Sequence, residues 1–138
     1  MTYYIDDLKP GMSESFSKQV SEQDVVQFGA ISGDMNPVHF DEAFAKKTLF
    51  KGRIVHGALT LSFLSTVLGM KMPGPGTVVF NLTIAFKGAV RVGDTVTALC
   101  TMREKVGSRR AIFDCVCKVG ETVVAEGEAL VMPPVKPR

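Results

Sequence analysis

Hydrophobic positions recur with two different periods along this chain, and the change of period separates a helical first half from a strand-rich second half. Val25, Phe28 and Ile31 follow one another at helical spacing, which predicts a helix over residues 22–32. Residues 56–70 are almost continuously apolar or small, and a segment of this length is too short to cross a bilayer comfortably. This segment therefore predicts a helix buried inside the fold.

Strand-like patterns begin after a Pro-Gly-Pro-Gly break at residues 73–76. Four runs rich in β-branched and aromatic residues follow, and the short glycine-containing turns between them predict antiparallel pairing. These runs cover residues 78–90, 95–105, 110–119 and 122–132. In the first half, the pattern predicts a strand over residues 16–20 and a short helix over 41–47, whose acidic start and basic end suit the helix dipole.

This order of elements predicts an α+β domain in which a curved antiparallel β-sheet wraps around a long central apolar helix. A helix that is apolar on nearly every side needs cover all round, and a strongly curved sheet can supply it. A chain of 138 residues is long enough for one such core and too short for two, so we expect a single domain over residues 1–138. Residues 133–138, rich in proline, are predicted to form a loose C-terminal tail.

Charge and cysteine content narrow the function classes. The formal charge is +2 with acids and bases interspersed, which argues against a nucleic-acid stripe or a polybasic membrane anchor. The N-terminus has no secretory pattern, so we expect a cytoplasmic protein without a membrane segment. Cys100, Cys115 and Cys117 have no zinc-type spacing and are interpreted as reduced, buried side chains, so that no metal is expected.

One polar motif is a candidate for chemistry. Asp34 and His39 stand five residues apart around Asn36-Pro37, and the proline forces a turn after the first predicted helix. A carboxylate and an imidazole that face a common space can act as a general acid/base pair. The local pattern alone also allows Asp34 to be only a helix-ending cap and His39 to be a structural histidine. Asn36 is interpreted as a turn former that positions the pair.

The segment from Ser32 to His39, followed by Ile54–Leu59 and by Ser62 and Ser65 on the apolar helix, resembles the MaoC-like hydratases. Within that family it is most similar to the (R)-specific enoyl-CoA hydratases, and the likeness covers almost the whole chain. Two motifs in the correct order and spacing are far more specific than one short pattern.

The resemblance implies a hot-dog fold and a homodimer whose sheets join edge to edge. It also implies reversible addition of water to a trans-2-enoyl-CoA, giving an (R)-3-hydroxyacyl-CoA without a metal or an organic cofactor. In the family, the aspartate and histidine of this motif hold the catalytic water, which assigns that role here to Asp34 and His39. A place in fatty acid metabolism is implied too, with β-oxidation intermediates passing to other pathways such as polyester (polyhydroxyalkanoate) synthesis.

The chemistry also needs a group that holds the negative charge which collects on the thioester oxygen. The N-terminus of the apolar helix offers free backbone N–H groups and a positive dipole end, and Gly57 lies there. Because glycine has no side chain, its backbone can approach the ligand closely, so the Gly57 N–H is the predicted oxyanion donor.

Further residues are assigned to supporting roles. The resemblance places Ser65 near the histidine, where its hydroxyl would orient His39 or the substrate. Leu68 follows Ser65 at i+3 and shares its helix face, which makes it a candidate wall of the acyl pocket, and Val131 is a second candidate. His56, at the start of the helix, is interpreted as a structural residue that donates to a backbone carbonyl.

Other functions stay open at this stage. A 3-hydroxyacyl-thioester dehydratase acting on acyl carrier protein would use the same site with a different carrier. A thioesterase would use a carboxylate and water without needing the Asp34/His39 pair. A non-enzymatic acyl-CoA binding module would have no use for the pair at all.

Overall fold

The computed structural model describes residues 1–137, which form one five-stranded sheet with four α-helices. The strands are β1 (Ser13–Gln19), β2 (Val78–Phe86), β3 (Thr95–Val106), β4 (Arg110–Val119) and β5 (Thr122–Met132). The helices are α1 (Glu22–Ser32), α2 (Pro37–Phe40), α3 (Glu42–Lys46) and α4 (Gly57–Thr66), and α4 continues into a π-helical turn over Val67–Lys71. The α+β class is as predicted.

The sheet is antiparallel throughout, but its strand order differs from a simple meander. The order is β1-β3-β4-β5-β2, so β3, β4 and β5 form the predicted meander while β2 lies at the far edge beside β5. The expectation that β2 would pair with the next strand along the chain was wrong. The N-terminal strand β1 occupies the free edge of β3, with Ser13 opposite Thr101, and this leaves β2 only the edge of β5.

Helix α1 begins and ends where its sequence predicts, because each end has a local cap: a side chain at the start and a left-handed glycine at the end. The Ser21 hydroxyl accepts a hydrogen bond from the Asp24 N–H at 3.1 Å, and the Asp24 carboxylate accepts one from the Ser21 N–H at 2.9 Å. At the other end, Gly33 adopts φ +80°, a left-handed conformation that glycine allows without strain. The helix is therefore fixed immediately before the Asp34 motif.

Helix α4 packs on the inner face of the sheet, but a single chain covers it on one side only. Its buried residues Leu59, Phe63 and Leu64 face β1, β3 and β4. On the opposite side Ser65 and Met70 are exposed, so the expectation of cover all round does not hold for one chain. The contacts of α4 with the sheet are made mainly to β1, β3 and β4.

The three cysteines lie in the core, as predicted. Cys100 and Cys115 are opposite each other on β3 and β4, with sulphur atoms 3.8 Å apart, and Cys117 is also buried. Burial raises the pKa of the Cys117 thiol to about 12, and the contact with Cys115 together with burial raises the pKa of Cys100. Protonated, enclosed thiols of this kind act as small apolar side chains.

The C-terminal segment is only partly loose. Pro133 is buried and Pro134 half-buried, whereas Val135 and the two residues after it are exposed; Arg138, the last residue of the predicted tail, lies outside the described residues. None of the helices in residues 1–137 has the length and apolarity needed to span a membrane.

Gly127 offers a test of how closely β2 must pack on β5. It lies opposite Ile84, and a Cβ atom there would overlap the carbonyl oxygen of Thr83 on β2. Gly127→Ala should therefore push β2 from its position and lower the free energy of unfolding by at least about 2 kcal/mol, measured by urea denaturation. Gly69→Ala is the matched control, because a Cβ at this helical glycine meets no atom within 4 Å. If both variants unfold like the unmodified protein, the strand packing described here is incorrect.

Candidate active site

The turn after α1 holds Asp34 through a short series of side-chain caps. The Asp34 N–H donates to the Ser32 hydroxyl at 3.1 Å, and one carboxylate oxygen of Asp34 accepts from the Asn36 N–H at 3.2 Å. The Asn36 side-chain oxygen in turn accepts from the Val38 N–H at 3.2 Å and caps α2. Asp34 does form the local turn that its pattern allows, and its second oxygen stays available. Asn36 is a turn former, as interpreted from the sequence.

His39 is buried on α2 and is oriented by the backbone of the second motif. Its Nδ1 lies 2.9 Å from the carbonyl oxygen of Ile54. Because a carbonyl only accepts hydrogen bonds, Nδ1 carries the proton, and Nε2 is left with a free lone pair in the neutral ring. Burial lowers the pKa of His39 below its ordinary value of 6.5, so the neutral form is favoured at pH 7.

His56 joins the same two motifs in the opposite direction. Its Nε2 lies 2.9 Å from the carbonyl oxygen of Asp34 and must donate to it, which is the backbone contact expected from the sequence. The ring of His56 also stacks on that of His39, with centroids 3.9 Å apart and planes 29° apart. Two hydrogen bonds and one stacked pair thus fix the position of Asp34 relative to His39.

These three residues bring polar atoms to one place. A carboxylate oxygen of Asp34, a ring nitrogen of His39 and a ring nitrogen of His56 lie within 4.8 Å of one another. A metal ion would have to lie in both ring planes at about 2.1 Å from each nitrogen. The two rings are instead stacked, with planes 29° apart and centroids 3.9 Å apart, which is not the in-plane arrangement of two imidazoles around one ion. The arrangement suits a small hydrogen-bonding molecule such as water.

Two arginines that the sequence interpretation did not single out hold the loop between the motifs. The Arg53 side chain donates to the His39 carbonyl oxygen at 2.7 Å and forms a two-point ion pair with Glu22 on α1. Arg91 donates to the carbonyl oxygens of Phe50, Gly52 and Arg53. Single arginines carry no local signal of this role, because their partners are backbone atoms up to 41 positions away.

Gly57 is the first residue of α4, so its N–H belongs to the helix-end donors that have no partner inside the helix. A side chain here would meet the Phe86 ring, whose nearest atom lies 2.9 Å from the position of a Cβ. Gly57 also borders a cavity of about 370 Å³, which we call the Gly57 cavity. Its lining includes Ile54, Gly57, Thr60, Phe86, Lys87 and Val124.

The remaining predicted residues lie apart from this cavity. Ser65 is exposed on the open side of α4, and the orientation of His39 comes from Ile54. Leu68 and Val131 are fully buried in the core and do not line the Gly57 cavity. In a single chain, neither of these two side chains is accessible to an acyl chain, and their assignment as pocket walls stays a prediction.

The assembled site offers acceptors on Asp34 and His39 and a backbone donor at Gly57. The Asp34 carboxylate and the Nε2 of His39 can each accept a proton from a water molecule, and the Gly57 N–H can donate to an oxygen that becomes negatively charged. A site of this composition suits the addition of water to, or its removal from, a carbonyl-activated carbon chain.

Known proteins that are similar to this chain are hydratases and dehydratases by name. Residues 8–127 match the MaoC like domain family. The chain is 44% identical over 135 residues to the (R)-specific enoyl-CoA hydratase of Rhodospirillum rubrum, covering 97% of this chain and 94% of the relative. It is 45% identical over 134 residues to the 3-hydroxybutyryl-CoA dehydratase of Methylorubrum extorquens, covering 96% and 85%.

A solved structure supports the fold. The (R)-hydratase from A. caviae involved in PHA biosynthesis superposes with a TM-score of 0.87 at 36% sequence identity, covering 92% of this chain and 98% of that one. This likeness confirms the predicted hot-dog fold. Since the family match extends over most of the chain and the relatives align along nearly its full length, this protein belongs to the family of MaoC-like domains.

Proposed function

We propose that this protein is an (R)-specific enoyl-CoA hydratase, which adds water reversibly to a trans-2-enoyl-CoA to give an (R)-3-hydroxyacyl-CoA. The observation that carries the proposal is the juxtaposition of Asp34 with a neutral, backbone-oriented His39 beside the first N–H of α4. The relatives that align along the whole chain are hydro-lyases of this type by name, which supports the same assignment.

In the proposed mechanism, one water molecule lies between the Asp34 carboxylate and the Nε2 of His39. Both groups accept hydrogen bonds from it, so a lone pair of its oxygen is directed away from them, toward C3 of the enoyl group. As the oxygen bonds to C3, one of the two side chains takes a proton from the water and the C2=C3 electron pair shifts toward the thioester carbonyl; the protonated side chain then delivers that proton to C2. The elements of one water are thereby added, and both side chains end in their starting protonation states.

In this mechanism, the backbone N–H of Gly57 stabilises the negative charge that develops on the thioester oxygen. This N–H is combined with the positive end of the α4 dipole, and donors of this kind are most effective where water is excluded. Removing one oxyanion donor typically costs about 10²–10³-fold in turnover. We propose that this reaction proceeds without a metal or an organic cofactor.

A colorimetric and chiral assay separates this proposal from its alternatives. Hydration of crotonyl-CoA lowers the absorbance of the conjugated enoyl thioester without releasing free thiol, and the product is expected to be (R)-3-hydroxybutyryl-CoA. Release of free CoA would instead indicate a thioesterase, and no reaction would indicate a binding module. Comparing crotonyl-CoA with crotonyl-acyl carrier protein distinguishes the hydratase from a carrier-protein dehydratase.

We further propose that the active form is a homodimer joined through β2. This strand lies at a sheet edge and exposes apolar side chains, with Val78, Phe80 and Phe86 about half exposed. A second copy paired with this strand would cover these apolar side chains. By contrast, the exposed residues of the β1 edge are mostly serine, whose hydroxyl groups can form hydrogen bonds with water.

We also propose a cytoplasmic location, because three buried free thiols suit a reducing compartment. A place in fatty acid metabolism, where β-oxidation intermediates are directed to polyester synthesis, follows from the resemblance.

Asp34 and His39 can be tested with variants that keep their structural hydrogen bonds. Asp34→Asn retains an oxygen for the Asn36 N–H, and His39→Asn retains an N–H for the Ile54 carbonyl. Each loses the proton acceptor, so kcat for crotonyl-CoA hydration should fall by about 10²-fold or more with an unchanged melting temperature. Asp41→Asn, which alters another helix-capping aspartate, is the control and should keep its activity. Near-normal turnover in either site variant would remove that residue from the mechanism.

The pH profile follows from the state of His39. Because burial lowers its pKa below 6.5, Nε2 stays unprotonated at neutral pH and becomes protonated only in more acidic solution. The kcat/KM for hydration should therefore stay level as the pH falls from about 8 to 6.5 and decrease below that. The measurement is the initial rate at low crotonyl-CoA concentration across this range. A loss of activity centred above pH 6.5 would contradict the assigned state of His39.

The dimer can be tested at both sheet edges. Light scattering should give the mass of two chains for the unmodified protein. Phe80→Lys places a second positive charge on β2, beside the guanidinium of Arg110 from β4, and should shift the protein toward the monomer, whereas Ser15→Lys on β1 should not. A monomeric unmodified protein, or dissociation caused only by Ser15→Lys, would refute the proposed interface.

A further inference from the structure

Thr60 presents an unpaired hydroxyl group on the wall of the Gly57 cavity. It lies on α4 one turn after Gly57, is only 2% exposed, and its Oγ1 has no hydrogen-bond partner among the described residues. A buried hydroxyl without a partner is unfavourable, and most such groups in proteins are paired. Its presence in a cavity therefore indicates that a polar group of a ligand is meant to meet it.

The surroundings of Thr60 define what kind of ligand this is. The cavity wall is otherwise mainly apolar, with Ile54, Phe86 and Val124 among its residues, and the charged Lys87 is exposed. Such a wall suits methylene groups interrupted by a single polar group. The hydroxyl can both donate and accept, so an amide is a matching partner.

The position of the cavity relative to the reacting groups indicates which part of the substrate enters it, the acyl chain or the arm on the sulphur side. This step depends on the proposed function. Gly57 borders the cavity, whereas Asp34, His39 and His56 do not. If the thioester carbonyl bonds to the Gly57 N–H and C3 reaches Asp34 and His39, the arm on the sulphur side is the one that enters the cavity.

The distance between Gly57 and Thr60 along α4 matches the length of the sulphur-side arm between its carbonyl and its first amide. Residues at i and i+3 lie on one helix face, and the axial rise between Gly57 and Thr60 is about 4.5 Å. In a pantetheine thioester, the sulphur and two methylene groups separate the carbonyl from the first amide by a similar distance. We propose that the Thr60 hydroxyl binds the first amide of the pantetheine arm and so contributes to recognition of the thioester carrier.

The test uses small thioesters that differ only in this amide. S-crotonyl-N-acetylcysteamine contains it, and the S-pentyl ester of thiocrotonic acid has the same chain length without it. Thr60→Val removes the hydroxyl at nearly constant volume, and Thr60→Ser retains it. In the unmodified protein, kcat/KM should favour the amide substrate, and Thr60→Val should reduce this preference by about threefold to tenfold, mainly through KM. Thr60→Ser should preserve the preference.

The same variants report on the hydroxyl without substrate. Because Oγ1 is unpaired in the free protein, Thr60→Val should melt at an equal or higher temperature than the unmodified protein. A clear decrease in melting temperature would mean that the hydroxyl is paired within the chain, and this would overturn the proposal.

Equal effects of Thr60→Val on both thioesters would also overturn it, since the hydroxyl would then not contact the amide. A changed preference for acyl chain length with no change in amide preference would assign the cavity to the acyl chain instead and reject the proposal. If the unmodified protein hydrates neither these thioesters nor crotonyl-CoA, the hydratase function itself fails, and activity on crotonyl-CoA alone rejects the role of Thr60 in binding the amide. Hydration without an amide effect rejects only the role of Thr60.

Discussion

The site depends on two hydrogen bonds that run in opposite directions between the two sequence motifs. His39 donates through Nδ1 to the carbonyl of Ile54, and His56 donates through Nε2 to the carbonyl of Asp34. Each histidine thus belongs to one motif and binds the backbone of the other. This exchange fixes which nitrogen of His39 is free, and it keeps the ring of His39 beside Asp34, with a ring nitrogen within 4.8 Å of a carboxylate oxygen. A neutral imidazole with a free Nε2 is the state that can accept a proton from water.

The fold places this pair at the start of α4, where the helix contributes its own chemistry. The sheet supports the buried face of α4, and the loop before it is held by Arg53 and Arg91 through backbone carbonyls. The first N–H of the helix is therefore presented at a defined position beside the histidines. Phe86 at the end of β2 lies beside Gly57 and lines the Gly57 cavity, which links the proposed substrate site to the strand of the proposed dimer contact.

Sequence patterns predicted those helices and strands that are determined by neighbouring residues, such as caps and turns. Helix α1 could be placed because Ser21 and Gly33 cap it, and β4 and β5 because their alternation and turns are regular. The catalytic role of Asp34 and His39 was predicted from the family resemblance. The interpretation of His56 as a donor to a backbone carbonyl was confirmed. The position of β2 at the far edge could not be predicted, since it depends on β1 having taken the edge of β3. The one-sided cover of α4 depends on that same long-range arrangement. The unpaired state of Thr60 has no sequence signal, because a threonine on an apolar helix is commonly paired with the preceding turn.

The most direct test of the central claim is a crystal structure of the Asp34→Asn variant with (R)-3-hydroxybutyryl-CoA bound. The substitution slows turnover while retaining the turn, so the product should remain in place. The C3 hydroxyl oxygen is expected within about 3 Å of both the residue 34 side chain and the Nε2 of His39, with the thioester oxygen hydrogen-bonded to the Gly57 N–H. A product whose C3 hydroxyl contacts neither side chain would contradict it.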